Sequence, residues 1–264
     1  MKRMCPKPGR SYWGTVVAAR SERVPGAFAV HLMVALALII MLASPGSARA
    51  EKPVSADEAD GWTHVPINDR KPRTQYEFSR DGEQLTIHAR AESSASLLMK
   101  PAAGIELART PLVAWRWLVL QSPQEADIAE AGREDAAARL VFVFDGDRSR
   151  LPWTDRAVMA TADRLGSRPM PFATLMYVTS SLHPVGSVLP NPYTRRVRML
   201  VVDAQKPSVP ASWQSFRRDL VADYKQAFGE APGPLIAWGL MSDSDNTGSR
   251  AEAVYAPVRF SARD

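Results

Sequence analysis

Residues 234–260, PLIAWGLMSDSDNTGSRAEAVYAPVRF, decide how this chain is read. Ile236, Trp238 and Leu240 alternate with Ala237, Gly239 and Met241, the period-2 pattern of a strand with two distinct faces. Asp243-Ser244-Asp245-Asn246-Thr247-Gly248 follows, rich in residues that bond their own backbone or tolerate positive φ. Val254, Ala256, Val258 and Phe260 resume the alternation. The stretch predicts two strands joined by an acidic turn, the second carrying the chain back across the sheet.

Strand signals recur upstream. Gln75 to Ser79 and Gln84 to Arg90 flank Arg80-Asp81-Gly82-Glu83, and Asp-Gly between alternating runs is a hairpin cue. Ala95 to Met99 reads as a short strand. Leu112 to Leu120 reads as a long one, with Val113, Trp115, Trp117 and Val119 on one face and Arg116 on the other. Ala138 to Asp145 is apolar on nearly every residue, so both its faces should be covered. Phe172 to Thr179 and Arg195 to Asp203 complete the series. Gln121 to Glu134 reads as a surface loop with a turn of helix, and Arg156 to Pro171 as a crossover or rim loop.

One helix is expected, from Ser215 to Phe228. Phe216, Leu220, Tyr224 and Phe228 recur every fourth position, with Ser212 as its N-terminal cap and Gly229 as its stop. Many strands and one helix predict an all-β fold: a two-sheet antiparallel sandwich, jelly-roll-like, with one α-helix packed on it.

The first fifty residues predict a leader rather than fold. Lys2, Arg3, Lys7, Arg10, Arg20 and Arg23 precede the uncharged apolar run Leu32 to Ala43, and Ala48-Arg49-Ala50 has the A-x-A form of a cleavage site. Even extended back to Ala27, the apolar segment reaches only the short end of a membrane-spanning helix. The division expected is a signal peptide over 1–50, a loose acidic lead-in over 51–74 and one β-sandwich domain over 75–264. The location expected is periplasmic or secreted.

Export changes the charge argument. The leader holds seven of the 33 Lys+Arg and one of the 28 Asp+Glu, leaving 26 bases, 27 acids and a net charge of −1. The basic pI therefore belongs to the targeting segment, and a nucleic-acid partner finds no basic excess. The only cysteine, Cys5, lies in the leader, so disulfides and thiolate metal sites are excluded from the rest.

Motifs of hydrolytic, nucleotide-binding and zinc chemistry are absent, and His64, His88 and His183 stand far apart in the sequence. The strongest polar feature is Asp243 with Asp245. Residues i and i+2 of a strand lie about 6.5–7 Å apart on one side, near the about 5–5.5 Å of a retaining glycosidase pair. Turn and cap roles explain the same composition and are favoured. DSDNTG also matches the start of an EF-hand loop, but Val254 stands where the bidentate glutamate belongs and strands replace the helices. A calcium ion held by Asp243 and Asp245 stays open; no other cofactor is expected.

Arg116 and Arg139 sit inside strands, where burial demands a partner such as Asp135, Asp243 or Asp245. Either they make structural ion pairs, or they line a concave polar sheet face that binds sugar hydroxyls beside a stacking ring. Trp115 and Trp117 read as core. Trp153, in a loop after Pro152, is the candidate exposed ring. The candidate ligand-binding set is thus Arg116, Arg139, Asp135, Trp153, Asp243, Asp245 and Asn246.

PLVAWRW, EDAAARLVFVFD, FRRDLVADYKQAFG and above all IAWGLMSDSDNTGSRAEAVYAPVRF resemble a bacterial domain-of-unknown-function family, number 3047, over about Gln75 to Phe260. The DSDNTG turn with Ala251, Ala253 and Tyr255 carries the most specific likeness. Pro257 departs from the aspartate expected there. The resemblance implies exported proteins with a sandwich domain and implies no activity.

Together these readings describe an exported, non-catalytic binding module of the cell envelope with a carbohydrate or other glycan ligand. The rivals are a glycan-active hydrolase using Asp243 and Asp245, and an envelope protein-interaction or structural protein. Cleavage after Ala50 is expected to leave Glu51 as the first residue, which mass spectrometry of the N-terminus tests; a chain retaining Leu32 to Ala43 in the membrane fraction refutes it.

Overall fold

The computed structural model describes residues 61–67, 71–81, 84–165, 169–204 and 211–263. The leader and part of the lead-in lie outside them. Thirteen strands are described: β1 (Thr63–Pro66), β2 (Gln75–Asp81), β3 (Gln84–Glu92), β4 (Ala95–Pro101), β5 (Leu112–Gln121), β6 (Arg139–Phe144), β7 (Ala173–Ser180), β8 (Val188–Asn191), β9 (Thr194–Ala204), β10 (Gln214–Asp219), β11 (Leu235–Asp243), β12 (Arg250–Tyr255) and β13 (Arg259–Ser261). Two α-helices join them, α1 (Trp153–Leu165) and α2 (Leu220–Phe228). No helix among the described residues is long and apolar enough to cross a membrane.

The strands form two sheets, as an all-β sandwich requires. The seven-stranded sheet runs β1-β4-β11-β6-β7-β9-β8, and the six-stranded one runs β10-β5-β12-β3-β2 with β13 added beside β5. Pairing is antiparallel except between β7 and β9. That exception follows from β8, which reverses the chain and pairs antiparallel with β9. The hairpin expected from Gln75–Ser79 and Gln84–Arg90 is β2–β3, whose first strand runs on to Asp81. All six residues of β6 are buried, so the run predicted to be covered on both faces is.

The sheets are joined by aromatic rings. Trp115 of β5 stacks on Tyr177 of β7 with centroids 5.0 Å apart and planes 5° from parallel. Phe216 also stacks on Trp115, at 4.9 Å. Such pairs add about 0.5–1.5 kcal/mol each beyond their area burial. Trp117 donates its indole N–H across the sandwich to Asp203 at 2.9 Å. Both tryptophans are core, as expected.

Several expectations are corrected. The span Ser215 to Phe228 is not one helix: Gln214–Asp219 forms β10, paired with β5 in register Phe216↔Trp115. Phe216 therefore belongs to a strand, and the fourfold spacing to Leu220 is coincidental. The helix begins one residue later, capped by Asp219, whose carboxylate accepts from the Ala222 N–H at 3.0 Å. Gly229 does end it, at φ 72°, the left-handed conformation that favours glycine. Residues 156–165, expected in a loop, belong to α1, which packs on β9 and buries Met159 and Ala162. Gln121 ends β5, and residues 122–134 make turns without a helix. The expected lead-in carries β1, with Trp62 and Val65 buried.

The largest correction concerns the decisive stretch. β11 lies between β4 and β6, while β12 lies between β5 and β3, so DSDNTG crosses from one sheet to the other. Facing sheets stand about 10 Å apart, a gap no tight hairpin spans. A second crossing, Ser93-Ser94 between β3 and β4, runs alongside. The two arches bond each other, Ser244 N–H to Ser94 C=O and Ser93 N–H to Ser249 C=O, both at 3.0 Å.

Close strand approach has a sequence cause at Gly239 in β11. A Cβ there would lie 2.2 Å from the Leu98 carbonyl oxygen of β4. Gly239→Ala is expected to cost about 1–3 kcal/mol, as overpacking does. An unchanged urea midpoint would show that β4 and β11 part freely.

Candidate functional site

The crossing turn ends in a polar cluster. Arg139 at the start of β6 is 4 % exposed and faces Asp243 at the end of β11, itself 2 % exposed. Arg139 Nε donates to Asp243 Oδ1 and Nη2 to Oδ2, both at 2.9 Å, a two-pronged pair. Nη2 also donates to the Glu134 carbonyl, and Nη1 lies 3.5 Å from Met199 Sδ. The Ala136 N–H donates to Asp243 Oδ1 at 3.0 Å.

Asp135 holds the turn itself. Its Oδ1 accepts from the Asn246 N–H at 3.2 Å and side-chain amide at 3.1 Å; its Oδ2 accepts from the Thr247 N–H at 2.8 Å and hydroxyl at 2.7 Å. The backbone bonding expected from Asp243 and Asp245 within their own turn thus comes from Asp135, more than a hundred residues away. Asp245 is taken instead by the ammonium of Lys71. Gly248, at φ +65°, completes the turn.

Burial sets the electrostatics. It pushes the Asp243 carboxyl up, to about 7, while Arg139 pulls it down and Asp135 and Asp245 add to the rise. Burial works against the Arg139 charge, yet Asp243, Asp135 and Glu134 hold its pKa above the usual value. Glu134, 3 % exposed, is raised by burial too. Its Oε2 accepts from Gly132 N–H at 2.5 Å, and its Oε1 has no hydrogen-bond partner. Tyr255 ties the cluster to the facing sheet: its hydroxyl accepts from Arg139 N–H at 3.2 Å and donates to Met241 C=O at 2.8 Å.

Oxygens of Asp135, Asp243 and Asp245 lie within 4.8 Å of one another, a donor set suited to a hard cation. The fit fails on occupancy by protein groups. Arg139 already neutralises Asp243, Lys71 holds Asp245, and four donors occupy Asp135. A calcium ion would have to displace one of these cations. The cluster is a structural ion-pair network.

The sequence-derived candidates therefore divide. Arg139, Asp135, Asp243, Asp245 and Asn246 come together and are consumed by the fold. Trp153 stands apart as the first residue of α1 rather than in a loop, 73 % exposed. Arg116 lies on the outer face of the six-stranded sheet, partnered by an aromatic ring rather than by any of the proposed aspartates. Among the described residues the histidines are each bonded: His88 to Glu252 at 2.6 Å, His183 to Asp127 at 2.7 Å and His64 to Ser96 at 2.7 Å.

Around Arg116 is an open cleft of about 560 Å³, lined by Ala114, Arg116, Ser215, Ala256, Pro257 and Arg259 above the Trp115–Phe216 pair. Its cause is a break in strand pairing. β12 meets β5 up to Tyr255↔Trp117, and β13 resumes only at Arg259↔Ala114. Between them Ala256 gives one bond, its N–H to the Arg116 carbonyl at 3.0 Å, and Pro257 has no N–H to give. Small Ala114 leaves the floor low. The Arg116 guanidinium lies 4.8 Å from the ring centre of half-exposed Trp213. No local sequence pattern marks Trp213, Ser215 or Arg259, because their meeting depends on β10 and β13 flanking β5.

Fold and site define a two-sheet β-sandwich with a closed ion-pair rim and an open cationic cleft on one outer face. Residues 60–259 match the family described as "Protein of unknown function (DUF3047)", and the chain belongs to it. No curated protein matches the sequence. Similar solved structures include the xyloglucanase domain of NopAA, a type three effector from Sinorhizobium fredii, at 9% identity and TM-score 0.36, covering 77% of this chain and 95% of that one. The family 11 xylanase from Neocallimastix patriciarum is similar at 9% identity and TM-score 0.36, covering 76% and 93%. Likeness that slight bears on neither activity nor ligand.

Removing one partner of the rim pair leaves a buried charge alone. Arg139→Met and Asp243→Leu are each expected to cost about 3–5 kcal/mol, and the double variant less than either. Urea denaturation measures all three; a loss near 1 kcal/mol for Asp243→Leu would reduce that residue to a turn bond. Millimolar calcium is expected to leave the melting temperature unchanged, since only a bound ligand shifts it.

Proposed function

We propose that the protein is an exported, non-catalytic binding module of the cell envelope whose outer-face cleft receives a carbohydrate. The observation that carries the reading is the cleft beside Trp213. Its volume of about 560 Å³ falls in the usual range for ligand sites, about 300–1,000 Å³. Arg116, Arg259 and Ser215 offer donors to hydroxyl oxygens. The Trp213 ring, 36 % exposed and held by Arg116, offers an apolar face for a sugar ring. Export rests on the leader pattern at 1–50.

The hydrolase rival requires Asp243 and Asp245 to face a substrate with one carboxyl free to donate a proton and one to attack. Asp243 is sealed and bound at both oxygens, and Asp245 is bound by Lys71. That arrangement favours binding over cleavage. No cofactor enters the reading.

Calorimetric titration of a glycan panel is expected to find a ligand whose affinity falls about tenfold or more in Trp213→Ala, the scale of a lost stacking contact, at unchanged melting temperature. Binding indifferent to both Trp213→Ala and Arg116→Ala removes the cleft from the reading. Release of reducing ends, lost in Asp243→Asn at unchanged stability, restores the hydrolase.

A further inference from the structure

We propose that the cleft selects a glycan bearing an acidic group, with the guanidiniums of Arg116 and Arg259 receiving its carboxylate or phosphate. The inference rests on the reading that the cleft takes a carbohydrate and adds the chemical class of that carbohydrate.

The first observation is placement. Ala114 of β5 stands across from Arg217 of β10 on one side and Arg259 of β13 on the other. Arg116 follows two residues along, on the same face. Cross-strand neighbours have Cβ atoms about 4.5–5.5 Å apart, so three guanidinium-bearing residues ring one small side chain. Like charges on adjacent strands repel. Arg217 has a partner of its own and lies outside the cleft lining, whereas among the described residues no Asp or Glu lines the cleft beside Arg116 and Arg259.

The second observation is contrast with the rest of the same outer face. There the arginines are matched to acids: Arg90 to Glu77 at 2.7 Å and to Glu252 at 3.3 Å, and Arg250 to Glu92 at 3.4 Å. Among the described residues the Arg259 side chain has no ion-pair or hydrogen-bond partner, and Arg116 has a ring instead of an acid. The chain beyond the leader carries one more acid than base, so carboxylates are not scarce. Their absence is local to the cleft.

The third is geometry of recognition. A guanidinium offers planar, paired donors that match carboxylate and phosphate oxygens. Its contact with an aromatic face leaves those in-plane donors free to point into the cleft. A neutral sugar would satisfy the donors singly and leave the charge uncompensated. An acidic sugar satisfies both at once, with its ring placed toward Trp213.

The test titrates the purified protein with a galacturonate trisaccharide, the neutral galactose trisaccharide of the same linkage, and a galactose phosphate, at low and high salt. The acidic trisaccharide or the sugar phosphate is expected to bind about tenfold or more tighter than the neutral one, the gain of one charged hydrogen-bonded contact. Which of the two binds identifies the acid. The preference should shrink in high salt, as partly exposed ion pairs do. Arg259→Gln and Arg116→Gln should each abolish most of it, the acidic ligand losing far more affinity than the neutral one, and Arg90→Gln, outside the cleft, should preserve it. Melting temperatures certify that the variants fold. Equal affinity for acidic and neutral sugars, or a preference that survives Arg259→Gln, overturns the inference and leaves the carbohydrate reading standing. Binding of none of the three at any salt overturns both.

Discussion

A guanidinium inside a seven-stranded sheet has to be matched by a carboxylate, and much of this structure follows from that need. Arg139 is the first residue of β6, where the strand leaves its loop, and Asp243 is the last residue of β11. Their two-pronged contact fixes which residue of β6 meets which residue of β11 at the centre of the sheet. Desolvating both charges costs several kcal/mol apiece, so the pair adds little net stability compared with an apolar substitute. What it adds is a single register, because a slip by one residue would strand both charges. Asp135, four residues before Arg139, fastens the turn after Asp243. Tyr255 carries the same network into the other sheet.

The rim and the cleft use polar residues in opposite ways. At the rim the aspartates face protein donors, and acids and bases together hold two arches in place. At the cleft the strand β5 loses a neighbour for a few residues, and guanidiniums are left facing solvent. The first arrangement is closed and fixes shape; the second is open and exposes charge. An interrupted strand is what separates them, since it creates concavity on a face that would otherwise be a flat pleat.

Much of the architecture is legible in the residues themselves. The β2–β3 hairpin announces itself through Asp81-Gly82, and the unbroken apolar run of β6 announces two covered faces. Alternation finds strands but does not say which sheet each joins, so β11 and β12 read as one hairpin although they belong to different layers. Phe216 misleads for a related reason. A ring four residues before Leu220 fits a helical stripe, and only the ladder to Trp115 makes it part of β10. The α1 segment lacks a broad apolar face, burying Met159 and Ala162 among exposed polar residues, so its periodicity is too faint to read. Arg139 inside a strand demands an acid, and Asp243 is among the few acids near enough in pattern to supply it. That Asp135 holds the turn is not legible, because nothing local links residues 135 and 246.

Those long separations bear on when the molecule becomes a molecule. Arg139 and Asp243 lie 104 residues apart, and Asp135 and Thr247 lie 112 apart. β11, which occupies the middle of the larger sheet, is contributed by nearly the last part of the chain. β4 and β6 therefore have no common neighbour until that strand arrives, and an emerging chain presents open sheet edges until its final segments are available. Closing such distant contacts is slow relative to local ones. The fold is consequently a late event in the life of each chain, and a polypeptide halted before Asp243 is an incomplete sheet rather than a smaller protein.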